Sequence, residues 1–281
     1  MKNIIAFLFV LLISAPVIAQ QVEFEPFPVG YTFESSLLID NQTIMVPEQG
    51  RLEFLIYHRF GNITDGAENL FGIYSTANVR MGLNYGVTER LMIGVGTTRG
   101  YKLQDINGKY QILRQTEGNE MPFSLAYFGN VAIDARTSDN FGPEVTYRSI
   151  HRLSYFNQLI VARKFSERFS FQVAPTLLYF NSVERGYKNL NYGLSAGGRM
   201  VFGPGHSVIF EYDQLFSKQE DEEKDPKPQL SIGWEKNTAT HCFQLFFANY
   251  TGIVGQHAFL YNQNDFLKGD FLVGLNITVR F

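Results

Sequence analysis

Ser149 and His151 stand two residues apart, the spacing that puts two side chains on one face of a strand. A hydroxyl and an imidazole so placed are the first two parts of a nucleophile with its general base, as a lipid-cleaving barrel would need. That chemistry also requires a group to orient the base and donors for an oxyanion, and the sequence places neither. Ordinary polar residues at a barrel rim explain the pair equally well. His58, His241 and His257 are scattered without metal-ligand spacing, and His206-Ser207 caps the neighbouring turn at 203–205. The acid-rich run "KQEDEEKDPKP", residues 218–228, could attract divalent cations among outer-leaflet lipids. Its charge and prolines suit a solvated loop better. No metal, no cofactor and no catalytic residue is assigned, and the chain is expected not to be an enzyme.

Any such group acts only from an element that holds it, and the sequence writes its elements in period two. In "ANVRMGLNYGVT", Ala77, Val79, Met81, Leu83, Tyr85 and Val87 alternate with Asn78, Arg80, Gly82, Asn84, Gly86 and Thr88. After Glu89-Arg90 the alternation resumes with Leu91, Ile93, Val95 and Thr97, so Thr88-Glu89-Arg90 is a short turn between antiparallel strands. Ser166-Glu167-Arg168 repeats it, followed by Phe169, Phe171, Val173, Pro175, Leu177 and Tyr179 on one face. Further strands are expected near 52–60, 108–115, 123–133, 190–202, 207–213, 229–235, 243–248 and 271–281, about twelve altogether.

Short connections, at 88–90, 116–120, 166–168, 203–205 and 236–240, recur at every second position. Longer polar or glycine-bearing loops lie between them, at 61–75, 100–107, 135–144, 181–189, 216–228 and 251–269. Segregating short turns from long loops is the mark of an outer-membrane barrel, and about ten residues per tilted strand span an apolar band of roughly 25 Å. The fold class predicted is therefore all-β: a transmembrane antiparallel up-and-down β-barrel of about twelve strands. Closure leaves no unpaired backbone edge in lipid. Tyr85, Phe169, Phe202, Trp234 and Phe281 fall at the short-turn ends of outward faces, where an aromatic girdle belongs.

Composition agrees. The 281 residues include 26 Phe, 15 Tyr and 25 Gly, which favours strands over helices. "MKNIIAFLFVLLISAPVIAQ" has a basic start, a short apolar core and small residues near Ala19, so residues 1–19 read as a secretory signal peptide. Residues 20–50 then form a periplasmic tail, a plug, or an extra strand pair that would raise the count to fourteen, and 51–281 form the barrel. Cys242 stands alone, so an internal disulfide is excluded. The formal charge of −3 becomes −4 without Lys2, which gives no electrostatic case for nucleic acid.

The closing strand "LVGLNITVRF" resembles the C-terminal assembly signal of Gram-negative outer-membrane proteins. "LEFLIYHRFG", "NVRMGLNYGVTERLMIGVG", "YQILRQ" and the preceding "SLLIDNQTIMVPEQG" resemble a family of uncharacterised bacterial outer-membrane β-barrel proteins. The resemblance covers most of the mature chain. It implies the bacterial outer membrane as location, with outer-membrane lipids and the assembly machinery as partners, and it supplies no activity.

With the more apolar face of each strand toward lipid, the lumen receives Glu53, Arg59, Arg80, Arg199, Glu211, Asp213 and Glu235. Asn78, Asn84, Gln172, Thr176, Asn191, Gln244, Asn276 and Arg280 join them. Charges of both signs could build a constriction that filters small polar solutes, making the protein a narrow channel or passive transporter. They could equally pair and close the interior, leaving a structural or surface-interaction barrel. A lipid-directed enzyme stands third. Oligomeric state and solute are not legible.

Overall fold

The computed structural model describes residues 27–143 and 145–281. The expected signal peptide, the following residues through 26, and Glu144 in the loop read at 135–144 lie outside the described residues. Twelve antiparallel strands close into a barrel, each paired with its sequence neighbours and the first with the last. They are β1 (Leu52–Asn62), β2 (Asn78–Thr88), β3 (Leu91–Thr98), β4 (Leu103–Leu113), β5 (Ser124–Asp134) and β6 (Leu153–Lys164). The other half is β7 (Phe169–Phe180), β8 (Leu190–Gly203), β9 (His206–Leu215), β10 (Gln229–Asn237), β11 (His241–Ala248) and β12 (Leu272–Arg280). Closure runs through Glu53↔Arg280, Leu55↔Thr278 and Tyr57↔Asn276. Residues 27–50 add only the isolated bridges Pro28↔Thr116 and Leu37↔Gln42, so the fourteen-strand alternative falls.

The period-two pattern places polar side chains inward. Met81, Leu83 and Tyr85 are exposed on the outer surface, while their neighbours Arg80 and Asn84 are buried. Tyr85, Phe169, Phe202, Trp234 and Phe281 are exposed at the short-turn end. The repeated (Thr/Ser)-Glu-Arg turn has a local cause. Thr88 Oγ1 accepts from the N–H groups of Arg90 (3.2 Å) and Leu91 (3.0 Å). Ser166 Oγ accepts in the same way from Arg168 (3.2 Å) and Phe169 (3.1 Å). A hydroxyl two and three residues ahead satisfies N–H groups that the hairpin leaves free. Pro175, with no N–H to give, sits where the β6–β7 pairing lapses between Gln158↔Thr176 and Val161↔Val173.

Three sequence expectations are corrected. Residues 100–107 are not all loop: β4 starts at Leu103. The string "QDING" is rich in turn-forming residues, but here its Asp and Asn point into a polar lumen while Ile106 faces outward. Ser149 and His151 do not share a strand face, because Ser149–Arg152 is a 3-10 helix before β6. The loop 251–269 contains α1, the helix Gly255–Tyr261, whose Gln256 to Leu260 are all buried.

Strand facing makes a depth-dependent prediction. Leu83 stands outward near the middle of β2, whereas Val79 is its second residue. Leu83→Arg is expected to destabilise the barrel by about 2–4 kcal/mol and Val79→Arg by about 0–1 kcal/mol. A urea titration of folding into bilayers reads the difference, and equal losses would show the facing or the depth to be wrong.

Candidate functional site

The lumen is filled from both ends. Residues 27–50 enter from the short-turn end as a hairpin: Leu38 N–H bonds the Asn41 carbonyl at 2.9 Å and Thr43 N–H the Ser36 carbonyl at 3.0 Å. Its tip is Ile39-Asp40-Asn41. The Glu211 carboxylate on β9 accepts the backbone N–H groups of all three tip residues, at 2.9, 2.9 and 3.0 Å. A buried anion gathering successive amides satisfies donors that the tight turn cannot pair internally. Asp213 accepts from Asn41 Nδ2 at 2.7 Å, and Gln158 Nε2 donates to Asn41 Oδ1 at 3.0 Å.

Wall charges hold the hairpin at its tip and along its stems. Arg59, with no exposed surface, pairs with Asp40 at 2.5 Å, donates to Asn276 Oδ1 at 2.9 Å and lies over the Phe246 ring. Arg199 bridges Glu34 of the hairpin and Glu235 of β10, the latter at 3.0 Å. Glu235 also accepts from Gln244 Nε2 at 3.0 Å. Glu53 accepts from Ser36 Oγ at 2.5 Å and lies 3.8 Å from Arg280. Lys109 donates to the carbonyls of Ser36 and Thr43, both at 2.9 Å, and to Gln42 Oε1 at 3.1 Å. Among the predicted charges, Glu235 reaches the hairpin only through Arg199, and Arg80 leaves it untouched. It makes a two-pronged pair with Asp105 on β4, at 3.0 and 2.7 Å. A side chain at Gly82 or Gly96 would collide with its guanidinium, so those glycines are what let Arg80 lie along the wall.

From the opposite end α1 descends. Gln256 Nε2 donates to Asn130 Oδ1 (3.0 Å) and Ser154 Oγ (3.2 Å), and Phe259 packs on Phe156 with ring centroids 5.6 Å apart. A side chain at Gly255 would strike the Phe156 ring, which fixes the helix start against β6. The inner wall between β5 and β9 is partly apolar. Ala126, Phe128, Ile160, Leu178 and Ile209 meet hairpin residues Phe33, Leu38, Ile39 and Ile44 and helix residues Phe259 and Leu260 in one cluster. Between hairpin and helix remains a cavity of about 50 Å³, lined by Asp40, Arg80, Gln158 and Phe259 among others. That is room for a few waters and for no larger solute.

Glu53, Arg59, Arg80, Arg199, Glu211, Asp213 and Glu235 thus all occupy the buried interior. They are not gathered in one constriction ring; most clasp the hairpin. Sequence reasoning missed Asp105, Lys109, Glu34 and Asp40. The alternation Leu103, Asp105, Asn107, Lys109, Gln111 was the available signal for the first two. The wall cations Arg59, Arg80, Lys109, Arg199 and Arg280 are matched one for one by Glu53, Asp105, Glu211, Asp213 and Glu235, and the hairpin adds two further carboxylates, Glu34 and Asp40. His151 Nδ1 accepts from the N–H of Arg148 at 3.3 Å, capping its own turn. Among the described residues, no cluster of three or more His, Cys, Asp or Glu could hold a metal ion.

The fold has solved counterparts. The NanC porin superposes with a TM-score of 0.51 at 7% identity, over 82% of this chain and 98% of that one. Outer membrane phospholipase A from Escherichia coli aligns with a TM-score of 0.42 at 12% identity, over 83% and 93%. At 7% identity the likeness to the porin is one of fold. No curated protein matches in sequence. Residues 33–281 match the model of a membrane bound beta barrel domain, DUF5777, and the chain belongs to that family.

Proposed function

We propose that the protein is a bacterial outer-membrane barrel that is closed at rest and passes small polar solutes when the 27–50 hairpin leaves the lumen. The observation that carries this reading is the way the hairpin is held: ion pairs and hydrogen bonds from Arg59, Arg199, Lys109 and Glu211, which water can replace. Without the hairpin the wall keeps balanced charges and many amides, a surface suited to a hydrated passage. The short-turn end faces the periplasm in this reading, so the hairpin gates from inside. Outer-membrane lipids cover the apolar outer surface, and β12, ending in Phe281, engages the assembly machinery. Ser149 and His151 are loop residues without a catalytic role; phospholipid hydrolysis abolished by Ser149→Ala would overturn that.

A permanently closed surface-interaction barrel is the second reading, favoured by the apolar contacts of Phe33, Leu38, Ile39 and Ile44. Planar-bilayer recording separates the two. The full chain is expected to be silent apart from rare openings, and the chain lacking residues 21–50 to give steady discrete steps. Silence in both forms would sink the channel.

A further inference from the structure

A second cavity, of about 270 Å³, opens at the long-loop end, apart from the filled lumen. Its walls come from the β5–β6 loop (Arg136, His151, Arg152), the β7–β8 loop (Arg185) and α1 (His257, Tyr261). Arg136 is neutralised by a two-pronged pair with Asp134, at 3.0 and 2.7 Å. Arg152 has only neutral acceptors among the described residues. Its Nη1 donates to the carbonyls of Asp134 (2.7 Å) and Arg136, its Nε donates to Tyr147 Oη, and its guanidinium lies over the rings of Phe141 and Tyr147. Among the described residues Arg185 makes no ion pair, and Glu184 is the one carboxylate of the wall besides Asp134. Among the described residues the wall therefore sets three guanidinium groups against two carboxylates, a cationic excess.

His257 completes the wall. It is only 7% exposed, it lines this cavity, and its Nδ1 is a buried polar atom without a hydrogen-bond partner. Burial lowers its pKa to about 4, so the imidazole is neutral and can donate from one nitrogen. Its ring is held between Tyr101 and Phe180, with centroids at 4.6 and 5.2 Å. A neutral imidazole in the wall adds no charge, so the guanidinium excess is left for an acceptor to meet.

We propose that this cavity binds the oxyanion group, carboxylate or phosphate, of a small solute. Arg152 and Arg185 meet the charge, and His257, Phe180 and Tyr261 contact the solute's body. Guanidinium forks match such groups, and a volume at the low end for ligand sites limits the body to about one ring. The site stands whether or not the hairpin gates a channel.

Calorimetric titration of the folded full chain in detergent with inorganic phosphate, benzoate and glucuronate tests it. Saturable binding of at least one is expected, weakened tenfold or more by Arg185→Gln and by Arg152→Gln and unchanged by Arg168→Gln at the opposite end. Arg185 is exposed, so Arg185→Gln stays informative if Arg152→Gln fails to fold, which unheated gel mobility shows. Displacement by phosphorylated but not dephosphorylated lipid A would identify a lipid as the natural source of the group; displacement only by the small acids would identify a soluble one. No saturable binding of any probe, or binding equal in wild type and Arg185→Gln, would overturn the proposal.

Discussion

Replacing Glu211 by leucine is expected to release the 27–50 hairpin while the twelve strands stay paired. The carboxylate accepts three tip N–H groups, and leucine accepts none. A buried donor left without a partner costs about 1–3 kcal/mol, so the docked hairpin loses at least about 3 kcal/mol. That lowers the docked-to-released ratio by roughly a hundredfold. The strands lose no backbone hydrogen bond, and removing a buried anion relieves a desolvation cost in the wall itself. Glu211→Gln keeps one acceptor oxygen and is expected to fall between. Limited chymotrypsin digestion reads the outcome, since Phe33 and Leu38 are buried when the hairpin is docked. Cleavage there is expected to become rapid in the leucine variant with unheated gel mobility unchanged. A hairpin as resistant as in the wild type would show that the apolar contacts, not Glu211, hold it.

The reason this anchor could not be seen in the sequence is physical. Glu211 alternates with Phe210 and Tyr212, so its inward direction is legible from period two alone. Its partners are backbone amides of residues 39–41, and a backbone amide has no residue type to betray it. The same limit hid α1. With Gln256, His257, Ala258, Phe259 and Leu260 all buried, no polar stripe marks a helical period, and seven residues are too few to show one. β2, β3 and the turn at Thr88 were legible because one face meets lipid and the other a polar interior, so alternation survives at full contrast. In β4 the outward face includes Gln104 and Gly108, and the contrast fades just where the first turn of the strand begins. Asp105, one of the charges that define the lumen, was lost with it, whereas Lys109 lay inside the strand expected at 108–115 and only its inward facing was missed.

Arg80→Met is expected to cost about 3–5 kcal/mol of barrel stability, and to do so without freeing the hairpin. Arg80 and Asp105 both belong to the wall, and neither bonds residues 27–50. Asp105 has no exposed side-chain surface, and once Arg80 is gone its carboxylate keeps only Asn107 (3.3 Å) and Asn130 (2.9 Å) as donors. Two neutral amides do not offset a buried charge, whereas removing the charge as well leaves groups the site can satisfy. Asp105→Asn added to Arg80→Met should therefore restore all but about 1 kcal/mol, a coupling that a double-mutant cycle in bilayer unfolding measures. Chymotrypsin resistance at Phe33 should stay at the wild-type level in both variants. A single-variant loss below about 1 kcal/mol would mean that water already reaches Asp105. The closed lumen would then be wetter than its packing indicates, and the wall charges would already be solvated before the hairpin moves.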